Sequence, residues 1–515
     1  MIKTKYRYKF RRIIAMVSFV LAGIPLCAEA QRLQKSNPSI IITPNDTEAD
    51  IIRKAAQVTP TAAQLRWQKL ELTAFIHFGI NTFTNREWGD GKEDPKAFNP
   101  TALDARQWAR VCKEAGIKQI ILTAKHHDGF CLWPTKTTAH SVKSSPWKDG
   151  QGDVVKELAA ACSEYGLGFG VYVSPWDRNA PSYGTPAYND LFVKQLTELL
   201  TQYGKIDEVW FDGANGEGPN GKKQVYDFPR WYRVIRDLQP DAVIAVMGPD
   251  VRWVGTESGY GRATEWSVVP TNMTSQEQIA AGSQTNEIIK PEIDQMAADI
   301  GSREKIKGAT KLVWYPAETD VSIRPGWFYH PEEDEKVKSP EKLLDIYFNS
   351  VGRNGVLLLN IPPDKRGLIH ENDHKNLKEW NQLVSGTFQT NLMKGATFRS
   401  NNGKKPKALS DLDYDSYWIT QGTDTTATIE INLQGQKTFD VFAIQENISI
   451  GQRIEAFVLE YKDSGEWKRI TEGTTVGFKR LLRFPTVTAD TLRLRITSSR
   501  LNPTIAEIGI YKLIE

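Results

Sequence analysis

From Leu72 onward, short apolar and β-branched runs alternate with amphipathic stretches of helical period, and few folds accommodate that order. Buried strands are expected at 72–80, 119–124, 168–174, 206–213 and 242–248. Between them the 3.6-residue pattern predicts helices over 102–116, 154–166, 189–204 and 228–239. Gly116 and Gly166 stand where a helix ends in a left-handed residue. Strand followed by helix, repeated, requires a parallel sheet with crossover helices. Four such units within roughly 150 residues make half of an eight-fold barrel.

The second half is less regular. Strands are expected at 311–315 and 355–361, and helices at 342–351 and 374–384. The stretch 256–307 is polar and poorly periodic; it reads as extended loops over an active face, with a sixth strand hidden among them. The barrel accounts for residues 48–388. The competing arrangement, an open doubly wound sheet, lacks the Gly-rich nucleotide loop that should follow its first strand. After about residue 392 the texture changes. Runs at 426–433, 439–445, 454–462, 492–498 and 504–511 alternate with period two and no helix intervenes. That predicts an antiparallel sandwich over 389–515. The expected class is α/β: a (β/α)8-like TIM barrel followed by an all-β sandwich.

Residues 1–30 are a separate object. Lys3, Lys5, Arg7, Lys9, Arg11 and Arg12 precede the apolar run 13–26, and Ala28-Glu29-Ala30 supplies a cleavage site. This is the pattern of a secretory signal peptide, too short for a stable membrane span. The expected product is exported, periplasmic or extracellular. Cys27 permits a lipoprotein anchor, but Ile24-Pro25-Leu26 is a poor acylation context. Residues 31–47 read as a flexible leader. Cleavage removes six basic residues and one acidic residue, so the formal charge falls from +3 to about −2. No electrostatic footprint for nucleic acid remains, and no later run is apolar enough to span a bilayer. Cys112, Cys131 and Cys162 are irregularly spaced and odd in number, which is no disulfide framework.

In a β/α barrel, catalytic groups stand where strands end. Here the first strand ends at His77, the second at His126-His127-Asp128, the third at Tyr172 and Trp176, and the fourth at Trp210-Phe211-Asp212-Gly213. Packing alone does not explain four strands converging polar and aromatic groups on one face. The chain carries 15 Trp; flat indoles stack on sugar rings, although large cores use Trp too. His126 and His127 are adjacent, so on an extended segment they point apart and make a poor metal pair. No catalytic cofactor is expected. Glycoside cleavage needs two carboxyl groups. Asp212 is one. For the second, Glu257 is the first choice, with Glu265 and Glu217 in competition.

The set His77-Phe78-Gly79, Glu87-Trp88, Lys125-His126-His127-Asp128-Gly129-Phe130, Gly170-Val171-Tyr172-Val173-Ser174 and Trp210-Phe211-Asp212-Gly213 resembles glycoside hydrolase family 29, the α-L-fucosidases. The continuation Ala214-Asn215-Gly216 is similar to the subgroup that prefers α-1,3/1,4 linkages. The resemblance implies a retaining exo-enzyme acting on fucosylated oligosaccharides or glycoconjugates. It implies Asp212 as nucleophile and a loop glutamate as acid/base. It also implies a fucose pocket of His77, Glu87, Trp88, His126, His127 and Tyr172, with Trp210 beside it, Arg252 matching a family arginine, and Trp327 as a wall for the sugar's methyl group. The C-terminal stretch from Leu409 to Trp418, with Ile429–Leu433 and Ile505–Ile508, resembles discoidin-like carbohydrate-binding modules. Such domains often carry a structural Ca2+, which Asp411, Asp413 and Asp415 permit. Two other readings stand beside this one: a lectin-like protein on an inactive barrel, and a retaining glycosidase for a related sugar such as galactose.

Overall fold

The computed structural model of the 515-residue chain describes residues 36–271 and 297–514. The expected signal peptide, Cys27 and part of the 256–307 stretch lie outside the described residues.

Eight parallel strands form a nearly closed barrel: β1 (Leu72–Ile76), β2 (Gln119–Lys125), β3 (Gly168–Val173), β4 (Glu208–Phe211), β5 (Val243–Val246), β6 (Arg252–Trp253), β7 (Ala317–Ser322) and β8 (Val356–Asn360). Their order is β5-β4-β3-β2-β1-β8-β7-β6. The remaining gap, between β5 and β6, is bridged at Ala245 and Val251. Helices α1 (Ala105–Glu114), α2 (Val154–Tyr165), α3 (Pro186–Gln202), α4 (Phe228–Leu238), α5 (Pro340–Asn349) and α6 (Glu371–Phe388) pack outside. Local chemistry sets their ends. Asp104 and Asp153 cap α1 and α2 by accepting backbone N–H groups, and Gly166 closes α2 in the left-handed conformation. Their apolar faces, through Trp108, Cys112, Leu158 and Cys162, join the large core between helices and barrel. Inside the barrel, Trp67, Phe75, Ile121, Tyr172, Trp210 and Leu358 form a second core below the strand ends.

Two expectations need correction. Lys311–Trp314 is not a barrel strand: it pairs antiparallel with Ser39–Ile41 and Val268–Pro270 in a small outer sheet. Its alternating burial marks a one-sided strand. Residues 39–41 of the expected leader are therefore structured. The seventh barrel strand is β7, Ala-Glu-Thr-Asp-Val-Ser, which apolar patterning does not reveal because it buries Glu318, Thr319, Asp320 and Ser322. The sixth strand is the two-residue β6, which precedes the 256–307 stretch where it was expected.

The C-terminal region folds into a six-stranded and a three-stranded antiparallel sheet. Trp418 and Ile505 from the smaller sheet meet Ile429, Ile431, Leu494 and Ile508 from the larger in one core. The runs expected at 426–433 and 439–445 are one long strand, Ala427–Gln445, with register shifts in between. Glu466–Gly473 is an additional strand whose exposed, polar sequence hid it. This domain is fastened to the barrel by Arg303–Glu455 (2.6 Å), Lys69–Asp415 (3.2 Å) and a hydrogen bond from Ser267 N to Gln452 Oε1 (2.7 Å). At Gly451 (φ +106°) an added Cβ would sit 2.3 Å from the Ala56 carbonyl oxygen, so only glycine permits this approach.

Candidate active site

The C-terminal ends of the strands surround a cavity of about 370 Å3. Asp212 and Glu257 both line it, as do His77, Glu87, Trp88, His126, His127, Tyr172, Trp210, Arg252 and Trp327. All the site residues expected from sequence are thus gathered at one place. Residues 126 and 127 do not point apart. The chain leaves β2 and turns at once, and the two rings lie 4.1 Å apart, centroid to centroid.

Asp212 follows the last residue of β4. Its Oδ2 accepts a hydrogen bond from the Tyr172 hydroxyl (3.1 Å), and its Oδ1 accepts one from the Ala214 amide (2.6 Å). Tyr172 is itself fixed by stacking on Trp210, with centroids 5.0 Å apart. The Trp210 indole N–H points into the barrel and donates to Glu318 (2.7 Å). That bond fixes the ring where it lines the cavity.

Burial favours the neutral form of all three imidazoles, and hydrogen bonds orient His77 and His127. His77 donates from Nδ1 to Asn360 Oδ1 (2.8 Å), because the Asn360 amide nitrogen is already given to Ser322 and Trp327. Its Nε2 is left as an acceptor. His127 Nδ1 meets Ser174 Oγ (2.7 Å), whose proton goes to the Trp176 carbonyl; Nδ1 is again the protonated nitrogen. Nε2 of His127 lies 4.0 Å from Asp212 Oδ2. Burial pushes His77 down to about 3 and His126 well below the ordinary range. Burial also lowers His127, with the Asp212 charge opposing it.

This has a consequence for stability. Unfolded, His77 takes up a proton near pH 6.5, whereas folded it stays neutral down to about 3. Between those values the unfolded chain holds more protons, so stability falls as pH drops below 6.5. One such group contributes roughly 1.4 kcal/mol per pH unit. In urea unfolding at pH 6.5 and pH 5, His77→Gln is expected to flatten the loss by about that amount. An unchanged slope would show that His77 is not held neutral.

Glu87 supports the opposite wall. It accepts the backbone N–H groups of Trp327 (2.9 Å) and Phe328 (3.1 Å) and meets His330 Nε2 at 2.6 Å. An added Cβ on Gly326 would lie 2.7 Å from Glu87 Oε1, so the glycine allows this clasp. Trp327 donates its indole N–H to Glu257 Oε2 (3.2 Å). Trp88 stands at the rim, 54% exposed, edge-on to His127 and Trp176.

Arg252 lines the cavity, but most of its guanidinium faces away, toward Glu265 and the carbonyls of Tyr315 and Trp266. Only Nη1 is left without a protein partner. Glu265 is buried between Arg252 and Arg262 and does not line the cavity. Glu217 is exposed outside it. Neither competitor reaches the place that Glu257 occupies. Sequence reasoning missed Asp320 and Trp253, both lining residues, and Asn360, which orients His77. A polar residue at the end of the apolar β8 run could have signalled Asn360.

Among the described residues, no three His, Cys, Asp or Glu side chains converge as a metal site. In the C-terminal domain, Asp411 and Asp413 cap their own turn and Asp415 pairs with Lys69. Asp411 instead neighbours Glu507, whose Oε1 is buried without a partner. Burial pushes the Glu507 carboxyl up to about 7, and Asp411 adds to the rise. That orphaned oxygen beside Asp411 is compatible in chemistry with a hard cation.

The alpha-L-fucosidase family profile matches residues 62–385, and the F5/8 type C domain profile matches 387–508. Alpha-L-fucosidase 1 of Arabidopsis thaliana is 45% identical over 88% of this chain and 87% of its own. A crystal structure from Bacteroides ovatus, of a protein assigned to the alpha-L-fucosidases, superposes with a TM-score of 0.83. It is 54% identical and covers 93% of this chain and 78% of that one. A Ruminococcus gnavus GH29 fucosidase, solved in complex with fucose, gives a TM-score of 0.80 at 34% identity, covering 89% and 96%.

Proposed function

Because the chain belongs to the alpha-L-fucosidase family, we propose that it releases terminal α-1,3- or α-1,4-linked fucose from oligosaccharides or glycoconjugates with retained configuration. The chain is a glycoside hydrolase of glycoside hydrolase family 29, an α-L-fucosidase. One observation supports the two-carboxyl mechanism: a single cavity holds Asp212, fixed through both oxygens, together with Glu257; the linkage preference rests on the Ala214-Asn215-Gly216 continuation. In the first step an Asp212 oxygen bonds to the anomeric carbon as the C–O bond to the departing sugar breaks, and Glu257 gives its proton to the leaving oxygen. In the second, the Glu257 carboxylate takes a proton from water, the water oxygen bonds to the anomeric carbon, and Asp212 leaves. The neutral imidazoles accept from sugar hydroxyls, and Trp327 walls the methyl end.

Proton NMR during hydrolysis of an aryl α-L-fucoside tests retention. α-L-Fucose should appear first, with the β anomer growing in by mutarotation; β first would contradict the reading. Lewis-type trisaccharides should be cleaved in preference to a 2′-fucosylated lactose. Residues 1–30 are read as a secretory leader, so the mature protein should begin at Gln31. Among the described residues no helix is long and apolar enough to cross a membrane.

The proposed Ca2+ between Asp411 and Glu507 would neutralise two adjacent carboxyls. Millimolar Ca2+ should raise Tm by roughly 3–5 °C over the chelated protein, and Glu507→Gln should abolish the difference. Equal melting with calcium and with chelator would contradict the site.

A further inference from the structure

Asp212, Glu257 and Asp320 all line the cavity, but only the first two have tasks in double displacement. Asp320 projects from β7 and is 5% exposed. Its Oδ1 accepts the Trp253 indole N–H at 2.8 Å. Its surroundings do not suit a buried anion. Glu318, two residues earlier, shares its inward face and is itself buried against Glu208. Glu257 faces Asp320 from the loop after β6. On β6, Arg252 is committed to Glu265 and to two carbonyls. The other flank, β8, is Val-Leu-Leu-Leu-Asn and contains nothing that titrates. Among the described residues no Lys, Arg or His forms an ion pair with Asp320; its pKa is raised well above the ordinary carboxylate range, by burial first and then by Glu318 and Glu257, against the Trp253 hydrogen bond, which favours the anion. An ionised carboxylate buried without a cation is far costlier than the protonated acid.

We propose that Asp320 works as a neutral carboxylic acid whose O–H donates a hydrogen bond to a hydroxyl of the sugar bound in the cavity. This rests on the fucosidase reading of that cavity. The pocket is short of donors: Arg252 Nη1 is left over, and His126 has no hydrogen bond that fixes its tautomer, but the rest of the polar lining mostly accepts. His77 and His127 present bare Nε2 atoms, and Asp212 and Glu87 are acceptors. The Tyr172 hydroxyl is spent on Asp212 and the Trp327 indole on Glu257. Sugar hydroxyls accept as well as donate, so a wall made mostly of acceptors leaves some of their oxygens in want of a donor. Asp320 uses Oδ1 for Trp253, and the proton sits on Oδ2.

Asp320→Asn keeps a neutral donor and the acceptor for Trp253 in nearly the same shape; Asp320→Ala removes both. The inhibition constant of free fucose, measured from pH 5 to pH 9 alongside Tm, reads the effect. At pH 5, Asp320→Asn should lie within about threefold of the parent protein and Asp320→Ala should bind at least about tenfold more weakly. As pH rises, fucose binding to the parent should weaken when Asp320 ionises, whereas the asparagine variant should not share that loss. The proposal is overturned if Asp320→Asn binds about a hundredfold more weakly at pH 5, which would mean the anion is required. It is equally overturned if Asp320→Ala binds as the parent does, or if the parent and the asparagine variant share one pH profile. Turnover of an aryl α-L-fucoside by the parent judges the fucosidase reading separately, because the fucose constants are ratios between variants.

Discussion

Asp212→Ala should lower kcat by about four orders of magnitude on any α-L-fucoside, which corresponds to roughly 5.5 kcal/mol of lost barrier reduction. The effect is large because no neighbouring group can take the aspartate's place. Tyr172 and the Ala214 amide only donate to it, and His127 is turned so that its proton faces Ser174. The fold should survive, since Asp212 stands after β4 and its loss strands one hydroxyl and one amide beside an open cavity. Azide should restore turnover to this variant. It enters the volume vacated by the carboxylate and attacks from the same face, so the product should be β-fucosyl azide. Failure of azide to rescue, together with activity near that of the parent protein, would remove Asp212 from the reaction.

Glu257→Ala should fall about a hundredfold to a thousandfold on a Lewis-type trisaccharide and far less on an aryl fucoside with a good leaving group. The difference follows from the acid's task. A sugar leaving group needs the proton, whereas an activated phenolate departs without it. The fucosyl–Asp212 intermediate should then accumulate on the aryl substrate, because the base for its hydrolysis is missing. Azide needs no base and should release it from the opposite face as α-fucosyl azide. The two variants thus differ in the anomer they form, a contrast that general destabilisation cannot produce. Unchanged trisaccharide hydrolysis by Glu257→Ala would move the acid/base role elsewhere. Glu265 would be a poor successor, since it is locked between two arginines.

The barrel's first half was legible because each strand there is a compact apolar run followed by a capped helix, as at Gln119–Lys125 and Val154–Tyr165. The site was legible for the same reason: polar side chains such as His77 and Asp212 stand out at the end of apolar strands. β7 was not legible, because its inward face carries Glu318 and Asp320 and its apolar signal is lost. β6 is two residues long and has no periodicity to read. Lys311–Trp314 misled because the central strand of a small outer sheet carries the same Leu-Val-Trp content as a barrel strand. Asp320 escaped with the strand that bears it. The commitments of Arg252 and Glu265 to each other depend on tertiary contact, which their spacing along the chain does not reveal.

Covalent capture at one carboxylate tests the central claim most directly. A 2-fluoro fucosyl fluoride retains a reactive leaving group while its fluorine slows hydrolysis of the ester formed with the enzyme. Protein incubated with it, digested and mapped by mass spectrometry should carry one fucosyl adduct, in the peptide containing Trp210-Phe211-Asp212 and on the Asp212 side chain. An adduct on any other carboxylate, or inactivation with no adduct at all, would contradict the account.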